Sequence, residues 1–306
     1  MTDADARSVA DFEKNRKLLF KVAYRVLGSV ADAEDVVQES WLRWNRVDHS
    51  RVKDPQSFLI QVSTRLALDR LRRAKASREA YVGPWLPEPL PTGPEIGEGA
   101  ETADSVSLAM LVVLETLSPL ERVVFVLREA FEFSFADIGA VLGRSEPTVR
   151  QIARRARAHV RERQPRFRYD RKVRMQVTER FLAACLGGDI DRLLDLLAPE
   201  VTLWSDGNGL RGVPRTSVRG ARKVGRLLVH GIRKVLRPPA GVSPGERGGV
   251  GGGSIVDVNG GPAALIVAAG ETVAVVVVDL DPVTDRITQI WIIANQDKLG
   301  GVEGER

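Results

Sequence analysis

The chain has 306 residues, with 45 Lys and Arg against 40 Asp and Glu for a formal charge of +5; 43% are hydrophobic and 28% charged. That balance excludes a disordered chain, and the length exceeds the ~250–300 residues at which single cores stop growing, so two or three domains are expected. The apolar stretches near 263–278 and 109–114 are too short, or too interrupted by charge, for the ~18 residues of a spanning helix. The acidic, polar start MTDADARSVADFEKN carries no secretory signal, and the single cysteine, Cys185, can make neither an internal disulfide nor a cysteine-built zinc site. A reducing cytoplasm is the expected setting, with no membrane partner.

Charge is unevenly placed. Residues 1–80 carry 16 basic and 12 acidic groups, 81–118 none and 6, 119–170 carry 11 and 7, and 171–306 carry 18 and 15. Two basic blocks flank an acidic connector. Within the first block, residues 11–27 space Phe12, Leu19, Val22, Ala23 and Val26 as one helical face, and Gly28 stops the run. A second helix over 31–44 sets Ala33, Val36, Val37, Trp41 and Leu42 on its inner side and Asp32, Glu34, Asp35, Gln38 and Glu39 on an acidic outer side. A third begins at Pro55, buries Phe58, Leu59, Val62, Leu66 and Leu71, and crowds Arg65, Arg70, Arg72, Arg73, Lys75 and Arg78 into its second half.

Residues 81–106 hold Pro84, Pro87, Pro89, Pro91 and Pro94 with several glycines, which sustain neither a helix nor a central strand. The segment reads as a linker, extended and partly polyproline-like. Trp85 and Leu86 are unusual in a spacer, because large apolar groups left in water mark a docking surface.

Beyond the linker, residues 105–117 and SPLERVVFVLREAF read as amphipathic helices, with Ser118 capping the second and Pro119 at its first position. Phe135, Ile138 and Leu142 mark a short helix that Gly143 ends, and Ser145 caps another with Val149, Ile152 and Ala156 inside. This is the spacing of a helix-turn-helix. From 171, MQVTERFLAACLGGDIDRLLDLLAPEV predicts two helices around a Gly-Gly break. There follow a strand VTLWSDG, a helix within SVRGARKVGRLLVHGIRKVL, a Gly-rich loop at 241–253, and the β-rich runs SIVDVNG, PAALIVAAG, ETVAVVVVDLD and RITQIWIIAN. The expected fold is multidomain: two all-α domains, then an α+β domain whose curved sheet carries helices on one face.

The second helix of the helix-turn-helix offers Glu146, Thr148, Arg150, Gln151, Arg154 and Arg155 outward, with Arg157, Arg161 and Arg163 behind them. Arginine can grip guanine O6 and N7 with two hydrogen bonds and glutamine can do so with adenine, while trailing arginines suit phosphates. Recognition of duplex DNA in the major groove follows. A solvated basic helix in an unrelated bundle explains neither the Gly turn nor the use of arginine without lysine.

These residues resemble a known family. LLFKVAYRVLGSVADAEDVVQESWLRW followed by FLIQVSTRLALDRLRR is similar to region 2 of an extracytoplasmic-function (ECF) RNA polymerase sigma factor, and LSPLERVVFVLREAFEFSFADIGAVLGRSEPTVRQIARRARAHV to its region 4. The linker WLPEPL, the tetrad Asp206, Gly207, Asn208 and Gly209, and NQDKL at 295–299 resemble the SigJ-type subgroup, which has a fused SnoaL-like (NTF2-like) C-terminal cone. Asn208 and Gln296 depart from the DGGG and NPDKL of that subgroup. The resemblance implies a region 2 bundle at 7–80, a linker at 81–106, region 4 at 107–168 and the cone at 171–300.

It also implies RNA polymerase core, through its β′ and β subunits, and promoter DNA as partners. Asp32, Glu34, Asp35, Gln38, Glu39 and Trp41 would dock on the β′ clamp helices. Arg65, Arg70, Arg72 and Arg73, with the loop 46–54, would face the −10 element, where base capture would rest on polar loop residues such as His49 because Phe58 reads as buried. Thr148, Arg150, Gln151, Arg154 and Arg155 would read the −35 element. Trp85, Leu86 and Pro87 would meet the cone near Asp206–Gly209 and Asn295, Asp297 and Lys298, regulating the factor in cis without requiring a separate anti-sigma factor.

Cones of this kind include isomerases and hydrolases, for which Asp206, Trp204 and His230 are the available candidates. A strand-end aspartate in a Gly-rich turn usually bonds its own backbone, and His230 inside LLVHGI reads as buried, so catalysis, a cofactor and a metal are not expected. Sensing of a small molecule by the cone stays open. Cys185 reads as core, and GERGGVGGG lacks the Lys-Ser/Thr of a P-loop and reads as a flexible connection. Two other classes stand beside the sigma reading: a stand-alone helix-turn-helix regulator with a ligand-sensing domain, and an isomerase with a DNA-binding tether.

Overall fold

The computed structural model describes residues 3–92, 106–163, 170–236 and 251–302, and it divides the chain into two compact units, Met1–Ala80 with Met110–Gln164 and Tyr81–Ala109 with Pro165–Arg306. Of the Gly-rich loop expected at 241–253, residues 241–250 lie outside the described residues, as do linker residues 93–105, while Gly252 and Gly253 belong to a strand and not to the loop. No helix among the described residues is long and apolar enough to cross a membrane.

The first unit opens with three helices packed on one another, α1 (Asp3–Leu27), α2 (Val30–Trp44) and α3 (Pro55–Glu79). Gly28, at φ 68°, and Ser29, whose hydroxyl accepts from the Asp32 amide, end α1 and start α2 within two residues. The inner face of α2 is Ala33, Val36, Val37, Ser40 and Trp44, which corrects the sequence expectation. Trp41 is only half buried and Leu42 is exposed, because the 36, 37, 40, 44 stripe follows the 3.6-residue period and leaves 41 and 42 on its rim.

The unit continues with α4 (Leu108–Glu115) and α5 (Pro119–Phe125), a single π turn at Val126–Ala130, α6 (Phe135–Leu142) and α7 (Glu146–Arg163). Ser118 and Glu121 close a capping box at the start of α5. The α6–α7 turn needs two glycines: Gly143 has φ 63°, and a Cβ on Gly139 would stand 2.6 Å from the Arg144 carbonyl oxygen. Arg122 of α5 is 1% exposed; it donates to Glu115 and, through Nε at 3.3 Å, to the Arg25 carbonyl. Arg78 of α3 pairs with the same Glu115 and reaches the Leu27 carbonyl at 2.9 Å. One carboxylate therefore serves two largely buried guanidinium groups, and this cluster joins α1, α3, α4 and α5.

The second unit holds α8 (Arg171–Gly187), α9 (Ile190–Leu196), β1 (Leu197–Asp206), β2 (Val218–Arg219), α10 (Ala221–Val235), β3 (Gly252–Val258), β4 (Gly261–Ala268), β5 (Glu271–Leu280) and β6 (Ile287–Ile293). The six strands form one mixed sheet in the order β2-β1-β6-β5-β4-β3, with β1 and β6 parallel and all other neighbours antiparallel. Phe181, Cys185, Leu193, Val224 and Leu228 of the helices pack on Leu203, Ile266, Val276, Val278 and Ile290 of the sheet, as an α+β domain requires.

Candidate functional site

Because β1 and β6 run parallel side by side, with Asp206 opposite Ile293, the turns that leave them emerge at the same end of the sheet. The Ala294 amide donates to the Asp206 carbonyl at 2.7 Å and locks the two exits together. This register brings Asp206, Asn295 and Lys298 into one buried cluster.

The cluster holds the linker. Asp206 accepts from the Tyr81 hydroxyl, from the Leu86 amide at 2.8 Å and from Lys298 Nζ at 2.7 Å. Lys298 Nζ also donates to the Leu86 carbonyl at 2.5 Å and sits 3.9 Å from the centre of the Trp85 ring, a cation–π contact. Both backbone groups of Leu86 are thus taken by charged side chains, and its own side chain is 2% exposed. Asn295 Nδ2 donates to the Tyr81 oxygen at 3.0 Å, and its Oδ1 accepts from the Asp297 amide. Burial, followed by the hydrogen bond and negative charge of Asp206, raises the Tyr81 pKa and keeps the phenol a neutral donor.

The segment then crosses to the other side of the sheet. Leu90 exchanges two hydrogen bonds with Asn259, the Thr92 amide donates to the Asp257 carbonyl at 2.9 Å, and Pro91 bridges Val258 on the outer strand β3. A proline without an N–H is tolerated at such an edge. Residues 81–92 form no helix, as expected; both of their ends are pinned by hydrogen bonds.

Not every expected residue joins the cluster. Pro87 is buried without a role in the hydrogen bonding, Asn208 and Asp297 point outward, and Gly207 and Gly209 shape the turn. Asn208 has φ 44°, and a Cβ on Gly207 would press on Val213 at 2.8 Å. Two expectations are corrected. Asp206 does not bond its own turn; it points inward to partners far along the chain. His230 is exposed, because it falls on the outward stripe of α10 opposite Val224, Leu228 and Val229. Sequence reasoning missed Tyr81 and Asn259, and an aromatic at the head of a linker or an asparagine in a hairpin turn gives no local sign of such partners.

In the helical unit, α7 buries Val149, Ile152, Ala153, Ala156 and Val160 and exposes Thr148, Arg150, Gln151, Arg154 and Arg155 on the opposite face. Arg150 is steadied by Glu146 at 3.0 Å and by the Phe135 ring. On α3, Arg70 pairs with Asp32 at 3.1 Å and Asp35 at 2.8 Å, so residues expected to meet DNA and polymerase meet each other. Arg65 Nε donates to the Val141 carbonyl at 2.8 Å, at the C-terminal end of α6, with Gln61 beside it on Ala140. Arg72 pairs with Asp69, and Arg73 is exposed.

Trp41 packs on Phe12 with ring centres 4.9 Å apart, and with Glu34, Asp35 and Gln38 it lines a groove of about 360 Å³ between α1 and α2. Glu39 pairs with Arg43. His49 is held by Ser8, the Trp44 carbonyl and the Trp44 ring, while Phe58 is half buried beside the same ring. Among the described residues no group of three or more His, Cys, Asp or Glu is arranged to hold a metal ion.

The sigma-70 region 2 family model matches residues 12–77, and the sigma-70 region 4 model matches residues 107–160. The chain belongs to the ECF RNA polymerase sigma factors, proteins that partner with the polymerase core and recognise promoters. It is 38% identical over 302 residues to the ECF RNA polymerase sigma factor SigJ of Mycobacterium tuberculosis, covering 96% of this chain and 93% of that one. It is 34% identical over 233 residues to the probable ECF sigma factor SigI of the same species, covering 75% and 78%. The crystal structure of M. tuberculosis SigJ superposes with a TM-score of 0.72 at 35% identity, over 96% of this chain and 98% of that chain.

Proposed function

We propose that the C-terminal unit restrains this sigma factor in cis by gripping the linker. The observation that carries this reading is the Leu86 backbone held between Asp206 and Lys298. The linker follows α3 directly and leads by covalent connection to region 4, so a segment pinned at Leu86 and at Leu90–Thr92 limits how far the two helical parts can separate. All of the Asp206 carboxylate contacts are consumed in this grip, which favours a binding role for the cone over catalysis. A small molecule bound at Asp206 would have to displace the linker, and the restraint needs no anti-sigma protein.

In the same reading Asp32, Glu34, Asp35, Gln38, Glu39 and Trp41 dock on the β′ subunit and region 4 approaches β. Arg65, Arg70, Arg72 and Arg73 face the −10 element, and Thr148, Arg150, Gln151, Arg154 and Arg155 read the −35 element, in the cytoplasm where polymerase works. The Arg70 pairs and the Arg65 contact with α6 would then exchange for polymerase and DNA during initiation.

The test is run-off transcription with core polymerase together with amide hydrogen exchange, comparing the native chain with the double variant Trp85→Ser/Leu86→Ser. The reading expects altered initiation and faster exchange in the 81–92 segment and the 294–299 turn. Unchanged behaviour in both measurements overturns it.

A further inference from the structure

The net charge of residues 171–306 conceals a separation. Residues 207–236 contain eight Lys and Arg and no Asp or Glu, which leaves 10 basic against 15 acidic groups in the rest of 171–306. The block centres on α10. Its inner stripe, Val224, Leu228 and Val229, is buried against the sheet and neighbouring helices, while Arg222, Lys223, Arg226, His230, Arg233 and Lys234 are all exposed. The patch continues into the preceding loop, where Arg211 and Arg215 are exposed and Lys234 Nζ lies beside Gly212.

Among the described residues, little neutralises this face. Arg219 pairs with Glu200 at 3.0 Å and Arg233 touches the Gly188 carbonyl, but Arg222, Lys223, Arg226 and Lys234 make no hydrogen bond or ion pair among the described residues. A cavity of about 500 Å³ at the start of the helix is lined by Arg219, Arg222, Lys223 and Arg286 and by no carboxylate. Like charges three and four residues apart repel on an isolated helix, so a face of one sign is at a disadvantage until a polyanion meets it.

We propose that the exposed face of α10 binds the phosphate backbone of promoter duplex DNA, as a sequence-independent contact separate from the residues of regions 2 and 4. Charge complementarity selects the occupant. A membrane surface is disfavoured by geometry: an interfacial helix inserts its apolar stripe into the lipid, and here that stripe is already buried. The cations are lysines and arginines without an amide side chain among them, a set suited to phosphates and not to base edges. Because the same chain already engages promoter DNA, binding at α10 is effectively intramolecular, so even weak contacts add affinity.

The test uses the full chain carrying Arg222→Gln, Arg226→Gln and Lys234→Gln, three exposed positions, with the melting temperature checked against the native chain. Affinity for a promoter duplex and for one with a scrambled −35 element is measured across a salt series. Each lost phosphate contact removes about 0.9 from the slope of log affinity against log salt, so a shallower slope by about 2–3, with equal fold-losses on both duplexes, is expected. Gln151→Ala on the same background should change the promoter preference and leave the slope alone. An unchanged slope, or a loss confined to one duplex, overturns the proposal. So does an unchanged DNA slope accompanied by lost binding to vesicles of anionic lipid or to an acidic protein surface.

Discussion

Lys298 Nζ lies 2.7 Å from a carboxylate oxygen of Asp206, and Asp206 is entirely out of solvent. The pair closes around a main-chain segment that neither residue's own strand or turn contains, so its energetics can be read as stability as well as regulation. Removing one member of a buried pair leaves an uncompensated charge, at a cost of about 3–5 kcal/mol. Lys298→Met and Asp206→Asn should each lower the urea midpoint of the C-terminal unit. The double variant should lose less than the two single losses combined, because the coupling is then gone. Strictly additive losses would mean that the two charges do not stabilise one another.

A similar argument applies to Glu115, which Arg78 and Arg122 share. Burial pulls the Arg78 pKa down, and the Glu115 charge opposes that pull. Glu115→Gln strands both guanidinium groups and should cost about 3–5 kcal/mol in the helical unit. A thermal melt that moves by less than the equivalent of ~0.5 kcal/mol would show that water or other groups already satisfy them.

Gln296 invites a stabilising change. It opens a 3-10 turn after Asn295, whose φ of −72° and ψ of 113° lie in the region allowed before proline, and its side chain is exposed. A proline at this first position needs no N–H partner. Gln296→Pro should raise stability by about 0.4–1 kcal/mol through the unfolded chain, with promoter selectivity unaltered. A lower denaturation midpoint would contradict it.

Cys185 is fully buried, and burial pushes its thiol up to about 12. The folded chain should resist alkylation by iodoacetamide at about pH 8.5, where an ordinary thiol is half ionised, and should label fully in urea. Between that pH and about 12 the unfolded state releases the thiol proton while the folded state retains it, so stability falls as pH rises. Cys185→Ala should flatten that part of the curve; labelling of the folded chain at the urea rate would refute the burial.

On α7, Gln151 is exposed and the neighbouring Arg150 is held by Glu146. Gln151→Ala should cost about 1–3 kcal/mol on promoters whose −35 element it reads and little on others. Competition binding on matched and mismatched duplexes separates this from an equal loss everywhere, which would reassign Gln151 to the phosphate backbone.

Sequence alone determined the helices, the capped α5, the helix-turn-helix and five of the six strands, because each rests on periodicity or on a cap a few residues away. The stripe through Val149, Ile152 and Ala156 and the αL turn at Gly143 were legible for that reason. The two-residue β2 and the start of β1 at Leu197, inside a stretch that reads as helix, were not legible. Motif resemblance placed Trp85, Leu86, Asp206 and Lys298 in one group, but not the manner of their meeting. That was decided by a sheet order in which β1 lies parallel to β6, so that a carboxylate and an ammonium 92 residues apart close on the N–H and C=O of one residue, Leu86. Tyr81, 125 residues from its partner Asp206, could not be found by any local period. The outward turn of His230, the pairing of Arg70 with Asp32 and Asp35, and the unopposed charge of α10 likewise depend on which face each helix buries, a choice that packing makes and a linear count of charge averages away.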